Sequence, residues 1–138
     1  MILVDTSGLY ALANRRDAHH ATARRYFHEV YGREVLALPV PVLVEAMLFI
    51  ESRLGAPPAR RLWGDVLSGV FTLLDVPHDV LALASAIDRR YADAALGFVD
   101  CTCLALCERH RITTVFTYDR RHFSVYRPTF TRALTLVP

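Results

Sequence analysis

The chain has 138 residues, of which 53% are hydrophobic and 22% are charged, and its formal net charge is +2. This size and composition predict one compact domain, spanning residues 1–138, with a single sizeable core. No apolar run approaches the roughly 18 residues of a membrane span, and the N-terminus lacks the basic region of a signal peptide. We therefore expect a soluble, cytoplasmic protein that does not enter a membrane.

The basic residues of the chain are all arginine, 16 in number, and lysine is absent. Arginine binds phosphate through a planar, two-pronged fork, although an arginine-only chain also commonly reflects genomic base composition. The absence of lysine excludes a P-loop, a Schiff-base enzyme and a lysine-assisted acyl phosphate site. The small net charge excludes a broad basic surface that would by itself indicate nucleic-acid binding.

The first half of the chain alternates apolar strands with amphipathic helices. Ile2–Val4 is a predicted strand, followed by a helix from Leu9 and then by a second helix with Asp17 as its expected N-cap. Residues 35–38 form a second predicted strand, which Pro39 and Pro41 are expected to end. The helix predicted at 42–50 is apolar almost all round, so we expect it to be largely buried together with Glu45. The segment 55–58 ends that helix.

The second half continues the same alternation. A helix is predicted at 59–67, a strand at 70–74 and a helix at 80–87 with Asp79 as a possible cap. A further apolar helix is expected at 99–107, then a β-branched strand at 113–117 and a last strand at 134–137. This order predicts an α/β fold, with a mainly parallel central sheet flanked by helices through right-handed crossovers.

Four acidic residues interrupt or follow apolar segments, where an unpaired carboxylate is costly. Asp5 and Asp119 follow predicted strands, Asp100 begins a predicted helix, and Glu45 lies inside one. Asp100 is equally explained as a first-turn acid favoured by the helix dipole, and Glu45 has a salt bridge to a core arginine as its alternative. If the four converge, one or two divalent cations with a preference for oxygen ligands, Mg²⁺ or Mn²⁺, would relieve the repulsion between them.

Four segments of the chain together resemble the PIN domains, and within them the VapC-like ribonuclease toxins of bacterial toxin–antitoxin pairs. The segments lie in the family's order and spacing over nearly the whole chain: Val4-Asp5-Thr6-Ser7, Glu45 after Pro39-Val40-Pro41, Leu96-Gly97-Phe98-Val99-Asp100, and Thr117-Tyr118-Asp119-Arg120-Arg121-His122-Phe123. The resemblance implies a PIN-like three-layer sandwich. It also implies a magnesium-dependent endoribonuclease, in which Mn²⁺ can substitute for Mg²⁺.

The resemblance further implies roles for particular residues. The acidic, catalytic pocket would consist of Asp5, Glu45, Asp100 and Asp119, with Asp5 and Asp100 as direct metal ligands. Thr6 and Thr117 match supporting positions that steer a carboxylate or a water. Asp93 also falls where related chains carry an acid, with a polar loop residue as its alternative. Cys101 departs from the alanine found in many relatives and is nearly isosteric with it.

The implied partners are an RNA substrate, a cognate VapB-like antitoxin and a second copy of the chain in a homodimer. The alternative function is a catalytically inactive PIN-like protein that binds RNA or acts as a scaffold. A haloacid-dehalogenase-like phosphoryl transferase is disfavoured, because it requires a second aspartate at position 7 and a lysine, and the chain has Ser7 and no lysine.

Two smaller clusters have structural explanations. Cys101, Cys103 and Cys107 are too close together for a disulfide framework, and the surrounding leucines favour buried, reduced thiols over a soft-metal site. The pairs His19-His20 and Tyr26-Phe27 are candidates for lining a substrate groove, with an ordinary amphipathic helix as the alternative.

Overall fold

A computed structural model describes residues 1–138 as five strands and seven α-helices. The strands are β1 (Ile2–Val4), β2 (Leu36–Pro39), β3 (Thr72–Leu74), β4 (Thr114–Phe116) and β5 (Thr135–Val137). The helices are α1 (Thr6–Ala13), α2 (His20–Val30), α3 (Val40–Leu54), α4 (Ala56–Leu67), α5 (His78–Arg90), α6 (Phe98–His110) and α7 (Arg120–Val125), with a 3₁₀ turn at Ala92–Ala94. No helix is long and apolar enough to cross a membrane.

All five strands are parallel and lie in the order β3-β2-β1-β4-β5. The expected α/β class is confirmed, and the sheet is wholly rather than mainly parallel. From β1 the chain moves to β2 and β3 on one side and later returns to β4 on the other. Because crossovers are right-handed, this reversal places helices on both faces of the sheet. The reversal also opens a crevice beyond the carboxyl ends of β1 and β4, where ligands bind in such sheets.

The core is built on the neighbouring strands β1 and β4 and on helix α6. The strand residues Leu3, Val4 and Val115 are fully buried, and the run from Cys101 to Cys107 in α6 is buried throughout. The three cysteines are free and buried, as expected. Gly8 is the one glycine that the packing demands, because a Cβ there would lie 2.9 Å from the carbonyl oxygen of Phe116. Because glycine has no Cβ, α1 can lie directly against the end of β4.

Helix α3 corrects a prediction of the sequence, since it is not buried all round. Only Val42, Ala46 and Ile50 on its inner face are buried, whereas Leu48 is 64% exposed and Glu45 is also exposed. The helix packs against α1, α4 and β2, and its three buried residues form one stripe along it. The apolar residues of this segment have no clear helical period. The sequence alone therefore could not show that the helix has an apolar face exposed to solvent.

The helix starts also differ from prediction in instructive ways. Pro39 ends β2, and Pro41 lies in the first turn of α3, where its missing N–H costs nothing. Asp17 does not cap α2; its Oδ1 accepts a hydrogen bond from the backbone N–H of His19 (2.7 Å) in the turn before the helix. Asp79 lies in the first turn of α5 rather than at its cap. The short helix α7 was not predicted.

Candidate active site

The four predicted acids meet in one open cavity of about 530 Å³ beyond the carboxyl ends of β1 and β4. Each comes from a different element: Asp5 directly follows β1, Glu45 lies in α3, Asp100 in the first turn of α6, and Asp119 caps α7. Parallel pairing of Val4 with Phe116 brings the ends of β1 and β4 level. The topology thus gathers residues that lie more than 110 positions apart.

Asp5 is the deepest of these acids and is held by two hydroxyls. It is 4% exposed, and its Oδ2 accepts hydrogen bonds from Ser7 Oγ (2.7 Å) and Thr117 Oγ1 (2.8 Å). A longer bond from the Ser7 backbone N–H (3.3 Å) caps α1 through the same oxygen. Oδ1 makes no hydrogen bond, yet no enclosed side-chain oxygen lacks a partner. Oδ1 therefore faces the cavity, free to bind a cation.

The two hydroxyls also fix the loop that carries Asp119. Ser7 Oγ accepts a hydrogen bond from the backbone N–H of Tyr118 (2.9 Å), and Thr117 Oγ1 accepts one from that of Asp119 (2.9 Å). Thr117 thus supports a carboxylate, at the position that the sequence suggested for it. Thr6 does so as well, because its Oγ1 donates to Glu45 Oε1 (2.6 Å) at the mouth of the cavity.

His122 links the remaining pair of acids, and sequence reasoning did not select it. Its Nδ1 lies 2.8 Å from Asp119 Oδ2 and 3.2 Å from Asp100 Oδ2. The backbone N–H of His122 donates to Asp119 Oδ1 (3.1 Å), so one aspartate both caps α7 and orients the imidazole. The one sequence signal was the spacing of Asp119 and His122, which are three residues apart. This spacing brings the two side chains together only at the start of a helix, and helix α7 was not predicted.

The surroundings of Asp100 disfavour its ionised form. Removal from water, followed by repulsion from Asp5, raises the pKa of the Asp100 carboxyl to about 6, although His122 and the backbone of Gly97 act in the opposite direction. Asp100, Asp119 and His122 each offer a ligand atom within 4.8 Å of one another. Carboxylate oxygens fit a divalent cation such as Mg²⁺ or Mn²⁺. The Nδ1 atom of His122 is already in contact with Asp100 and Asp119, so the carboxylates are the better ligands for such a cation.

Aromatic side chains form the rim of the cavity. Tyr10 and Phe49 line it together, with ring centroids 4.8 Å apart, and His19 stacks on Tyr118 at 4.1 Å. His19 therefore lies where a groove residue was expected, whereas the half-buried Tyr26 packs against Phe116 of the core. Asp93 is exposed in the 3₁₀ turn and does not line the cavity.

Comparison with known proteins assigns the chain to a family. Residues 2–128 match the PIN domain, so the chain belongs to the PIN domain family. It is 26% identical over 137 residues to Ribonuclease VapC26 of Mycobacterium tuberculosis, covering 99% of this chain and 100% of that protein. These findings confirm the family that the sequence motifs indicated.

Solved structures extend the comparison. The crystal structure of VapC20 from Mycobacterium tuberculosis, described as a sarcin–ricin loop cleaving toxin, is 28% identical with a TM-score of 0.83, covering 96% of this chain and 99% of that one. A toxin–antitoxin complex from Klebsiella pneumoniae shares the fold at 21% identity and a TM-score of 0.67, covering 90% of this chain and 91% of that one. The chain is thus a VapC-like PIN domain protein.

Proposed function

We propose that this chain is a magnesium-dependent endoribonuclease, with Mn²⁺ able to replace Mg²⁺, that acts in the cytoplasm as the toxin of a VapBC-type pair. One observation carries the proposal: Asp5, Glu45, Asp100 and Asp119 line a single open cavity. A structural role does not account for so many carboxylates beside one another, whereas a metal-assisted phosphodiesterase needs them. The similarity to Ribonuclease VapC26 and to VapC20 supports RNA as the substrate.

The chain's own residues supply the holding and orienting functions. Asp5 Oδ1 and the Asp100 carboxylate would hold the cation, because both face the cavity and neither is neutralised by an arginine. A divalent cation held in this way would orient a phosphodiester and would make water a better nucleophile at neutral pH. Thr117 and Ser7 fix the carboxylate of Asp5, and Thr6 fixes that of Glu45. His122 bridges the carboxylates of Asp100 and Asp119 through its Nδ1 atom.

The decisive experiment is cleavage of total RNA by the purified chain in Mg²⁺ or Mn²⁺, with and without EDTA. Asp5→Asn keeps the shape of the side chain and removes its charge, so cleavage should fall by orders of magnitude. Asp75→Asn is the matched control, because Asp75 is exposed and does not line the cavity. Cleavage that persists in EDTA and in Asp5→Asn would reject metal-dependent hydrolysis at this cavity. No cleavage by the parent chain in Mg²⁺ or Mn²⁺ would instead favour the alternative, an inactive RNA-binding or scaffold protein.

Inhibition by a VapB-like antitoxin follows from the charge of the same cavity. An arginine or lysine of the antitoxin, inserted between Asp5, Glu45 and Asp100, would pair with carboxylate oxygens and compete with the cation. Replacing that basic residue by alanine should restore cleavage while only weakening the complex. A complex that protects RNA equally well at saturating Mg²⁺ would instead indicate steric cover of the groove.

A homodimer is the remaining part of the proposal, and the exposed apolar face of α3 and α4 supports it. Val44 and Leu48 are 53% and 64% exposed on α3, and Trp63 and Leu67 are 60% and 79% exposed on α4. Each pair is spaced four residues apart, so each forms a stripe along its helix. Large apolar surfaces of this kind mark association sites in soluble proteins.

A further inference from the structure

His19 and Tyr118 form a stacked pair of rings on the rim of the acidic cavity. The ring centroids lie 4.1 Å apart, and the ring planes are inclined by only 16°. Tyr118 is half-buried, whereas His19 is exposed. Because Tyr118 covers one face of the imidazole, the exposed face is the other one. This pair, the aromatic platform, therefore presents a flat ring to solvent at the edge of the cavity.

The fold fixes the aromatic platform from behind. The hydroxyl of Tyr118 lies 3.0 Å from Thr22 Oγ1 and 3.3 Å from the carbonyl oxygen of His19, at hydrogen-bonding distance from both. The rings of Tyr118 and the buried Phe116 meet edge to face, with centroids 6.4 Å apart. The backbone N–H of His19 donates to Asp17 Oδ1 (2.7 Å). A ligand that stacks on rings already held in this way needs to order few side chains when it binds.

The imidazole of His19 has no hydrogen-bonding role in the fold. The backbone N–H and carbonyl oxygen of His19 make hydrogen bonds, but neither ring nitrogen does, and no ion pair involves the ring. His122, by contrast, uses its Nδ1 to bridge two carboxylates. The outer face of the His19 ring is thus available to a ligand.

Short contacts join the aromatic platform to the acids. Tyr118 directly precedes Asp119, and the backbone N–H of Tyr118 donates to Ser7 Oγ (2.9 Å). The same Ser7 hydroxyl donates to Asp5 Oδ2 (2.7 Å). A single hydroxyl therefore separates the backbone of the platform from the carboxylate of the deepest acid. A phosphodiester held at the acids has its adjoining base within reach of the platform.

We propose that the aromatic platform stacks one unpaired base of the RNA next to the bond that is cut, with His19 as the residue that contacts the base. The proposal rests on the ribonuclease function proposed above and names the feature of the substrate that is recognised. Every base has a ring face, so stacking accepts any base but requires that its face be uncovered. The platform thus selects an unpaired, splayed nucleotide rather than a sequence.

A base is favoured over an arginine of a protein partner by the identity of the outer ring. A guanidinium binds best over the face of tryptophan, tyrosine or phenylalanine, and here the tyrosine face is already covered by the imidazole. Histidine is among the side chains on which unstacked RNA bases lie. The exposed ring of the pair therefore suits a base better than a cation.

The test compares two fluorescein-labelled strands of equal length by fluorescence anisotropy with the full chain in EDTA, where cleavage is prevented. One is a single-stranded RNA, and the other has the same backbone but is abasic throughout. Both strands carry the same phosphates, so the ratio of their affinities reports contacts to bases alone. His19→Ala should reduce the preference for RNA over the abasic strand at least about 5-fold and leave binding of the abasic strand unchanged.

Control variants separate stacking from a structural role of His19. His28→Ala changes another exposed histidine of the same region, on α2 and outside the cavity, and should keep the preference of the parent. His19→Trp retains a flat aromatic face and should keep the preference too, whereas the aliphatic His19→Leu should lose it. A fully paired RNA duplex should bind the parent and His19→Ala equally.

Equal preference for RNA over the abasic strand in the parent and in His19→Ala would overturn the proposal, as would the absence of RNA binding by the parent. Equal preference together with a weakened antitoxin complex in His19→Ala would assign the platform to the protein partner instead. A variant that does not fold loses both strands alike, and the comparison of His19→Trp with His19→Leu then decides. Cleavage by the parent is measured separately, so a preference that depends on His19 in a chain without cleavage would reject the ribonuclease function and not the platform.

Discussion

At the scale of single residues, the cavity depends on hydroxyls that hold acids. Thr117 is fully buried at the end of β4, where its Oγ1 donates to Asp5 and accepts from the backbone N–H of Asp119. One oxygen atom therefore joins the two acids that follow the central strands. A buried donor of this kind costs more to remove than an exposed one, because its partner is left without compensation.

Thr117→Val tests these two hydrogen bonds, since it replaces the hydroxyl by a methyl of similar size. We expect a loss of about 1–3 kcal/mol in the free energy of unfolding and a marked fall in RNA cleavage. Thr117→Ser retains the hydroxyl and should keep most of both. Denaturant unfolding and the cleavage assay measure the two effects. A stable, fully active Thr117→Val protein would show that Asp5 is positioned by Ser7 alone.

Asp100 should make the metal-free protein less stable as the pH rises. Because burial raises its pKa in the folded state from 3.8 to about 6, the folded state binds the proton more tightly than the unfolded state. The free energy of unfolding therefore falls as pH rises from about 4 to 6, and the full cost applies above 6. Asp100→Asn removes that cost. In EDTA it should be more stable than the parent at pH 7.5, by on the order of 2 kcal/mol, with the gain shrinking toward pH 4.

Thermal unfolding at several pH values measures this gain. Asp75→Asn, which changes an exposed carboxylate outside the cavity, is the control and should show no comparable gain at pH 7.5. If Asp100→Asn were destabilising at pH 7.5, the carboxylate would be a net stabilising partner of His122 rather than a strained group.

At the scale of elements, the site depends on how closely α1 approaches β4. Gly8 lies in α1 and faces Phe116, with a hypothetical Cβ 2.9 Å from its carbonyl oxygen and 3.2 Å from its ring. Asp5, Thr6 and Ser7 all lie within three residues of this contact. A larger residue at position 8 would therefore displace the start of α1 together with its site residues.

Gly8→Ala should lower the free energy of unfolding by about 1–3 kcal/mol and reduce cleavage, because backbone at the contact cannot rotate away. Gly64→Ala is the matched control within α4, where a Cβ meets nothing within 4 Å. There the better helix propensity of alanine should leave stability unchanged or raise it by about 0.5–1 kcal/mol. Similar effects of the two changes on stability would show that α1 can move without loss.

Helices α3 and α4 provide a second test at this scale, through their exposed apolar stripes. Leu48→Arg combined with Leu67→Arg should convert the proposed dimer to a monomer without unfolding it, since these side chains are 64% and 79% exposed. Light scattering after size-exclusion chromatography measures the mass. Phe98→Arg changes another exposed apolar side chain, 63% accessible and on α6, and should leave the dimer intact. A parent chain that is already monomeric would remove the homodimer from the proposal.

At the scale of the whole molecule, the fold tolerates a concentration of negative charge that a bound cation would relieve. Five of the 14 acidic residues line one cavity, while the chain as a whole carries a net charge of +2. A ligand that binds only the folded state raises its stability by mass action. Binding of a cation at the proposed metal site would therefore raise the stability of the fold.

Millimolar Mg²⁺ or Mn²⁺ should raise the melting temperature of the parent by several degrees, an effect that corresponds to about 1–3 kcal/mol at 10 to 100 times the dissociation constant. In Asp100→Asn the increase in melting temperature should be much smaller. The melting temperature of each protein in EDTA, without divalent cations, is the baseline. Differential scanning calorimetry measures the shift. Equal shifts in the parent and the variant would remove Asp100 from the set of ligands.

Local patterns in the sequence determined the order of the five strands and of six of the seven α-helices, the parallel sheet class and four of the residues that line the cavity. Asp5 and Asp119 were accessible to sequence reasoning because an acid at or just past the end of an apolar strand lies at the carboxyl edge of a parallel sheet. Asp100 was accessible because helix starts carry recognisable signals. These features depend on neighbours in the chain, which a single sequence contains.

Only the tertiary structure decided which side of α3 is buried, that His122 joins Asp100 to Asp119, and that Ser7 and Thr117 share Oδ2 of Asp5. It also stacked the ring of His19 on that of Tyr118. Each of these is a contact between residues that are distant in sequence or on helices whose apolar pattern has no clear period. The physical reason is that such contacts depend on how elements pack across the sheet, and packing is a property of the folded chain as a whole.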